Sequence, residues 1–157
     1  MEQYINPFME TSKSVFQKLC NVEIKPGRVY FVDVEEFEKN WDISGIIGLS
    51  GDVSGAVVIS FKENTACKVT QILTGKEHTD LDRLVCDTTG EIINIIAGNV
   101  KKFYENELRI KISLPSIVKG KAHTIVWPSD KARIICIPFA IFEDQEICIS
   151  VAMAPNK

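Results

Sequence analysis

Asp87, Glu91, Asn94, Gly98 and Lys101 follow one another at intervals of three and four residues. At about 100° per residue, a helix through them sets all five on one face. That face carries a carboxylate and a carboxamide one turn apart, Glu91 and Asn94. A carboxylate pairs with a cation through charge-assisted hydrogen bonds and so adds specificity as well as energy. A carboxamide both donates and accepts without bringing charge into a crowded anionic site, and it cannot serve as a general base. Two of the five positions oppose the helix: Asn competes for backbone hydrogen bonds, and a mid-helix Gly costs on the order of 1 kcal/mol relative to Ala. The spacing shows shared facing and no more, so a solvated face and a partner-binding face both fit it.

On the opposite side the same wheel places Leu81, Val85, Thr88, Ile92, Ile95, Ile96, Asn99 and Phe103, the expected core stripe. Asn99, on that apolar side, is expected to satisfy a buried polar group. Gly98 has two readings, an opening for a partner backbone or tight packing on a neighbouring strand.

Other chemistries are poorly served. His78 and His123 have no Cys or carboxylate at metal-ligand spacing, which argues for no metal. Cys67 and Cys86 have no adjacent His, and Cys136 and Cys148 sit in apolar strand patterns, so a Cys nucleophile is not indicated. Ser50-Gly51-Asp52-Val53-Ser54-Gly55 lacks the Gly-Lys-Ser/Thr ending of a phosphate loop and reads as a hairpin turn. Trp41 and Trp127 lie beside strand patterns as core or interface anchors.

The 157 residues, 45% of them hydrophobic, suit one domain spanning 1–157 with a sizeable core. Net charge of -3 with no Lys/Arg-rich run leaves no electrostatic footprint for nucleic acid. The chain opens without a signal-peptide pattern and has no apolar run of about 20 residues, so a cytoplasmic protein off the membrane is expected. Five scattered cysteines without a Cys-x-x-Cys pair read as reduced, mostly buried thiols.

Several elements position the polar face. Asn6 as N-cap and Pro7 at the first helical position start a helix that runs through Phe8, Val15, Phe16 and Leu19 to about Cys20. Arg28 to Val34 is strand-like and ends in Asp33, Glu35 and Glu36. Trp41 to Phe61 forms a hairpin about Ser50-Gly51-Asp52, and Glu63 to Leu73 a short helix stopped by Thr74-Gly75. Asp80 and Asp82 favour the start, and Lys101-Lys102 the end, of a long helix from about 80 to about 104. Arg109–Leu114, Thr124–Trp127, Arg133–Phe142 and Glu146–Met153 are β-rich, with Glu143-Asp144-Gln145 as the last turn. The order predicts an α+β sandwich of two long helices plus a short helix against a mostly antiparallel sheet.

The segment Gly90-Glu91-Ile92-Ile93-Asn94-Ile95-Ile96-Ala97-Gly98-Asn99 resembles the helical signature of the CheX-type chemotaxis phosphatases in the CheC, CheX and FliY superfamily. The resemblance extends to Tyr4-Ile5-Asn6-Pro7-Phe8, to Gly55-Ala56-Val57-Val58-Ile59-Ser60-Phe61 and to Leu114-Pro115-Ser116-Ile117-Val118-Lys119-Gly120. CheC relatives carry a second helical Glu-x-x-Asn pair; here Glu63-Asn64-Thr65-Ala66 puts Ala66 at the Asn position, which resembles CheX with its one active helix. The resemblance implies a phosphatase that removes the aspartyl phosphate of a CheY-type response regulator and ends a chemotaxis signal. Asn94 would orient the attacking water and Glu91 would pair with the receiver's Lys, while Asp87, Gly98 and Lys101 contribute to docking. It also implies no cofactor of this chain's own, Mg2+ supplied by the phosphorylated receiver, and a homodimer joined through sheet edges. The alternative is a receiver-binding or flagellar-switch scaffold of the same fold without catalysis.

Overall fold

The computed structural model describes residues 2–33, 40–123, 125, 127 and 133–156. Its helices are α1 (Glu2–Cys20), α2 (Glu63–Thr74) and α3 (Arg83–Phe103). Its strands are β1 (Lys25–Pro26), β2 (Tyr30–Asp33), β3 (Ile43–Gly51), β4 (Val53–Phe61), β5 (Ile110–Ile112), β6 (Ser116–Lys119), β7 (Arg133–Ile141) and β8 (Gln145–Pro155). They form one eight-stranded sheet in the order β1-β7-β8-β4-β3-β5, with β2 also on β7 and β6 also on β3. Every pairing is antiparallel. This is the α+β arrangement that the order of elements predicts.

The long central strands β4 and β8 are rich in Val and Ile and buried on both faces, which explains their near-continuous apolar runs. Alternate residues point to opposite sides. Val57, Ile59, Phe61, Ile137, Phe139, Ile147, Ile149 and Val151 join Phe8, Phe16, Ile92, Ile93 and Ile96 in the core under the helices. Val58, Ile134, Cys136, Cys148 and Ala152 form a second cluster on the other face, closed by the buried Trp41 and Trp127. Both tryptophans are therefore core anchors. The same second face carries Ser44 and Ser60, whose hydroxyls lie 2.8 Å apart, and His123 Nε2 lies 2.7 Å from Ser44 Oγ. His123 Nδ1 is 2.9 Å from the Gly120 carbonyl. A carbonyl only accepts, so Nδ1 carries the proton, and in the neutral ring Nε2 accepts from Ser44. The histidine thus ties the chain after β6 to the sheet.

The hairpin turn stands as expected: Ile43 pairs with Phe61 through to Leu49 with Gly55, and Gly51 takes φ +100. Likewise α2 ends on Gly75 at φ +73, whose N–H donates to the Gln71 carbonyl. Other boundaries differ. Helix α1 begins at Glu2 and holds Pro7 inside; a proline in the second turn forgoes one backbone donor, which the flanking turns tolerate. The strand after the first turn is only Tyr30–Asp33, and Val34, Glu35 and Glu36 lie outside the described residues. Ile125 and Trp127 are irregular rather than strand, and Thr124 and Val126 lie outside the described residues. The edge strand β6 emerges where only Arg109–Leu114 was expected to be extended; Ser116–Lys119 pairs with Ile43–Ile46. No helix among the described residues is long and apolar enough to cross a membrane.

Helix α3 lies on β3 at Gly45. A Cβ on Gly45 would sit 3.0 Å from Ile93 Cγ2 and 3.3 Å from both Thr89 Cγ2 and the Thr89 carbonyl oxygen. The backbone oxygen cannot move aside without moving the helix. Gly45→Ala is therefore expected to destabilise the fold by about 1–3 kcal/mol as overpacking, read as a lower urea midpoint with an unchanged slope.

Candidate functional site

Helix α3 starts on a built cap. Asp82 Oδ1 accepts from the Val85 N–H at 2.9 Å, which satisfies one of the helix's orphan donors. Asp82 Oδ2 lies 2.8 Å from His78 Nδ1, and His78 Nε2 lies 3.2 Å from Thr74 Oγ1. A carboxylate only accepts, so Nδ1 donates. The imidazole, 5% exposed, thereby ties the end of α2 to the start of α3, and its ring nitrogens are accounted for without a metal. Lys119 of β6 donates to the Leu81 carbonyl at 3.1 Å. At the far end, Lys101 and Lys102 stand in the last turn, where cations complement the helix dipole. The expected helix from about 80 to about 104 is thus Arg83–Phe103, with Asp80 outside it.

The buried residues of α3 are Val85, Thr89, Gly90, Ile92, Ile93, Ile96, Ala97 and Val100. Each large aliphatic among them contributes roughly 1.5–3 kcal/mol by leaving water. This stripe lies about 80° around the helix from the expected one, less than one residue step. Asn99 is exposed rather than turned to the core, and Phe103 is 67% exposed. The shift follows from small residues. Gly90 and Ala97 let the helix settle onto the sheet edge, and a Cβ on Gly90 would meet Ile117 Cδ1 at 3.4 Å and Pro115 Cγ at 3.5 Å. Apolar content alone gives Gly90, Ala97 and Thr89 little weight, which is why the sequence wheel passes over them.

With that rotation, Glu91 is exposed near the centre of the outward face and Asn94 is half-buried one turn on. Among the described residues, neither the Glu91 carboxylate nor the Asn94 amide enters a side-chain hydrogen bond or ion pair. Asp87 is exposed and stands 4.0 Å from Arg83 Nε, a solvent-exposed pair of little energetic weight. Lys101 is exposed on the same side. A Cβ added at Gly98 would meet nothing within 4 Å, so the strand-packing reading of this glycine is excluded. All five residues singled out by spacing share one accessible strip of α3. The strip can offer a carboxylate, a neutral hydrogen-bonding group and an uncovered stretch of helix backbone.

The other helix has no such pair. Ala66 of α2 is buried and Glu63 half-buried. The cysteines are free thiols, four buried and Cys86 half-buried. Burial pushes the Cys20 and Cys67 thiols up, and the Cys136 hydrogen bond does so most strongly for Cys148. Cys20, Cys67 and Cys148 are thereby held as poorly nucleophilic thiols. Among the described residues no cluster of three His, Cys, Asp or Glu could hold a metal.

The antiparallel sheet with its three helices matches the fold of CheC-like superfamily proteins. The structure of a CheC-like superfamily protein from Shewanella sp. PV-4 superposes at TM-score 0.85 with 27% identity, over 96% of this chain and 97% of that one. A family model described as chemotaxis phosphatase CheX matches residues 43–140, and the chain belongs to that family. It is 23% identical over 151 residues to CheY-P phosphatase CheX of Thermotoga maritima, covering 95% of this chain and 94% of that protein. It is also similar to the chain in the crystal structure of the CheX-CheY-BeF3-Mg2+ complex from Borrelia burgdorferi, at 27% identity and TM-score 0.81, over 96% of this chain and 97% of that one.

Two outcomes test the helix. The His78 hydrogen bond, followed by that from Val85 N–H, holds the Asp82 carboxyl below its usual value. A lowered folded-state pKa gives stability that is present above the unfolded value near 3.9 and is lost as pH falls through the folded value. The stability gap between wild type and Asp82→Ala is expected to be full at pH 6 and to shrink below pH about 4, measured by thermal unfolding across that range. Gly98→Ala, in open space, is expected to stabilise the fold by up to about 1 kcal/mol through helix propensity, measured by chemical denaturation.

Proposed function

We propose that this chain hydrolyses the aspartyl phosphate of a CheY-type response regulator, with α3 docked against the receiver's active site. The observation that carries the reading is the free Glu91 and Asn94 pair on an accessible helix face in a member of the chemotaxis phosphatase CheX family. The complex of a 27% identical relative with CheY, BeF3 and Mg2+ supports the choice of partner. The receiver brings the acyl phosphate, Mg2+ and a Lys that neutralise charge on the transferring group, so the helper's task is to place a water in line. Asn94 holds that water by accepting from one of its hydrogens or donating to its oxygen. Glu91 pairs with the receiver's Lys and fixes the docking register.

In the reaction the water oxygen bonds to phosphorus and the phosphorus–oxygen bond to the receiver's Asp breaks, leaving a carboxylate and inorganic phosphate. The amide of Asn94 takes no proton; it passes to phosphate oxygen or to solvent. Asp87, Gly98 and Lys101 border the docked surface. The chain acts as a single domain in the cytoplasm and as a homodimer through sheet edges. Its described edge strands, β1 and β2 on one side and β5 and β6 on the other, offer unpaired backbone groups for a second copy.

The test is phosphate loss from a pre-phosphorylated CheY-type receiver in excess Mg2+. Wild type is expected to accelerate it catalytically. Asn94→Ala should lower turnover by about 100-fold or more while receiver affinity stays within a few-fold. Affinity that changes with no wild-type turnover would instead identify a non-catalytic receiver-binding or switch scaffold.

A further inference from the structure

Leu114 is 87% exposed, yet the backbone that presents it is tightly held. Strands β5 and β6 both pair with β3, β5 covering Leu49–Gly51 and β6 covering Ile43–Ile46. Between them the edge breaks at Ser113-Leu114-Pro115. Ser113 bridges the break: its N–H donates to the Gly48 carbonyl at 2.9 Å, and its Oγ accepts from the Gly48 N–H at 2.8 Å. The Ser113 hydroxyl also donates to the Leu114 carbonyl at 2.9 Å. On the other side Pro115 stands over Gly90 of α3. The loop is therefore a rigid bracket, fixed before and after an apolar side chain that lies in solvent.

The bracket runs alongside the Asn94 turn. Ile117 and Pro115 lie over Gly90 of α3, and Ile110 lines a small cavity together with Ala97, Val100 and Lys101 of the same helix. The intervening Ser113–Leu114 crosses the flank between those levels, which is the flank on which Asn94 lies. A leucine held out on fixed backbone loses little further conformational freedom when it is covered, so its burial by a partner is gained with small ordering cost. Scattered exposed aliphatics elsewhere, such as Leu19 and Ile72, lie on helix surfaces away from this turn and are ordinary.

We infer that Leu114 is a binding anchor for the receiver, inserting into an apolar depression beside the acyl-phosphate site and holding the docked partner against α3. This rests on the proposed receiver phosphatase reading. Charge complementarity through Glu91 gives steering, and the leucine gives a desolvated anchor against which the register locks.

The test compares wild type, Leu114→Ser and Leu114→Met in phosphate release from a pre-phosphorylated CheY-type receiver with Mg2+, together with thermal unfolding and sedimentation of each. Leu114→Ser is expected to raise KM about 10-fold or more, equivalent to about 1.4 kcal/mol, with kcat within about twofold, unchanged Tm and unchanged oligomeric state. Leu114→Met should restore most of the affinity. An unchanged KM overturns the inference and leaves the phosphatase reading standing. A fall in Tm assigns Leu114 to the fold, and a shift in oligomeric state assigns it to a second copy; either overturns it. If wild type gives no turnover, the phosphatase reading falls and calorimetric titration of the receiver decides: weaker binding by Leu114→Ser supports the anchor, whereas equal binding or none overturns it.

Discussion

The close contact of α3 with β3 at Gly45 governs the molecule. Only the missing Cβ lets Thr89 and Ile93 reach the strand, and this contact fixes the helix in rotation as well as in distance. Once Ile93 and Ile96 are buried, Glu91 has to face outward and Asn94 has to sit on the flank beside the sheet edge. Close-packed interiors admit few alternative rotations, because any other would expose two isoleucines or bury a carboxylate. The geometry of the polar strip is therefore a by-product of core packing.

The ends of the helix are held as firmly as its middle. Asp82 serves the first turn and receives His78, and His78 reaches back to Thr74 at the end of α2. Helices α2 and α3 are thereby linked, α3 with an open Glu and Asn pair and α2 with Ala66 buried in the core. Among the described residues Glu91 and Asn94 make no side-chain bond within the chain, so their hydrogen-bonding capacity is available to a partner. Because Glu91 is exposed and Asn94 only half-buried, leaving them without partners in the chain costs the fold little beyond helix propensity.

How far these features could be read from the sequence depended on the kind of force involved. The hairpin about Gly51 and the stop at Gly75 are local: each rests on a positive φ that a glycine supplies, and each was legible. The face shared by Asp87, Glu91, Asn94, Gly98 and Lys101 was legible too, because helical periodicity is rigid. Asn99 and Phe103 were misplaced because small residues, Gly90, Ala97 and Thr89, allowed the approach that set the rotation. The start of α1 was misread from Pro7, a strong local signal that the surrounding helix absorbs. Ile125 and Trp127 have strand-like composition, yet Trp127 is used to cover the second face of the sheet rather than to pair in it. The edge strand β6 was missed because its pairing with β3 is non-local and its composition is mixed.

By itself the sequence determined which residue types are available and which of them share a helix face, since these follow from spacing and backbone stereochemistry. It also carried the family resemblance, and the family model matches it over residues 43–140. Tertiary structure alone decided the rotation of α3, the openness above Gly98, the linkage of His78 to Asp82, and the bracket from Ser113 to Pro115 that presents Leu114. Each of those depends on which distant segments come into contact. Contact across dozens of residues is set by the joint packing of many side chains and by no local pattern.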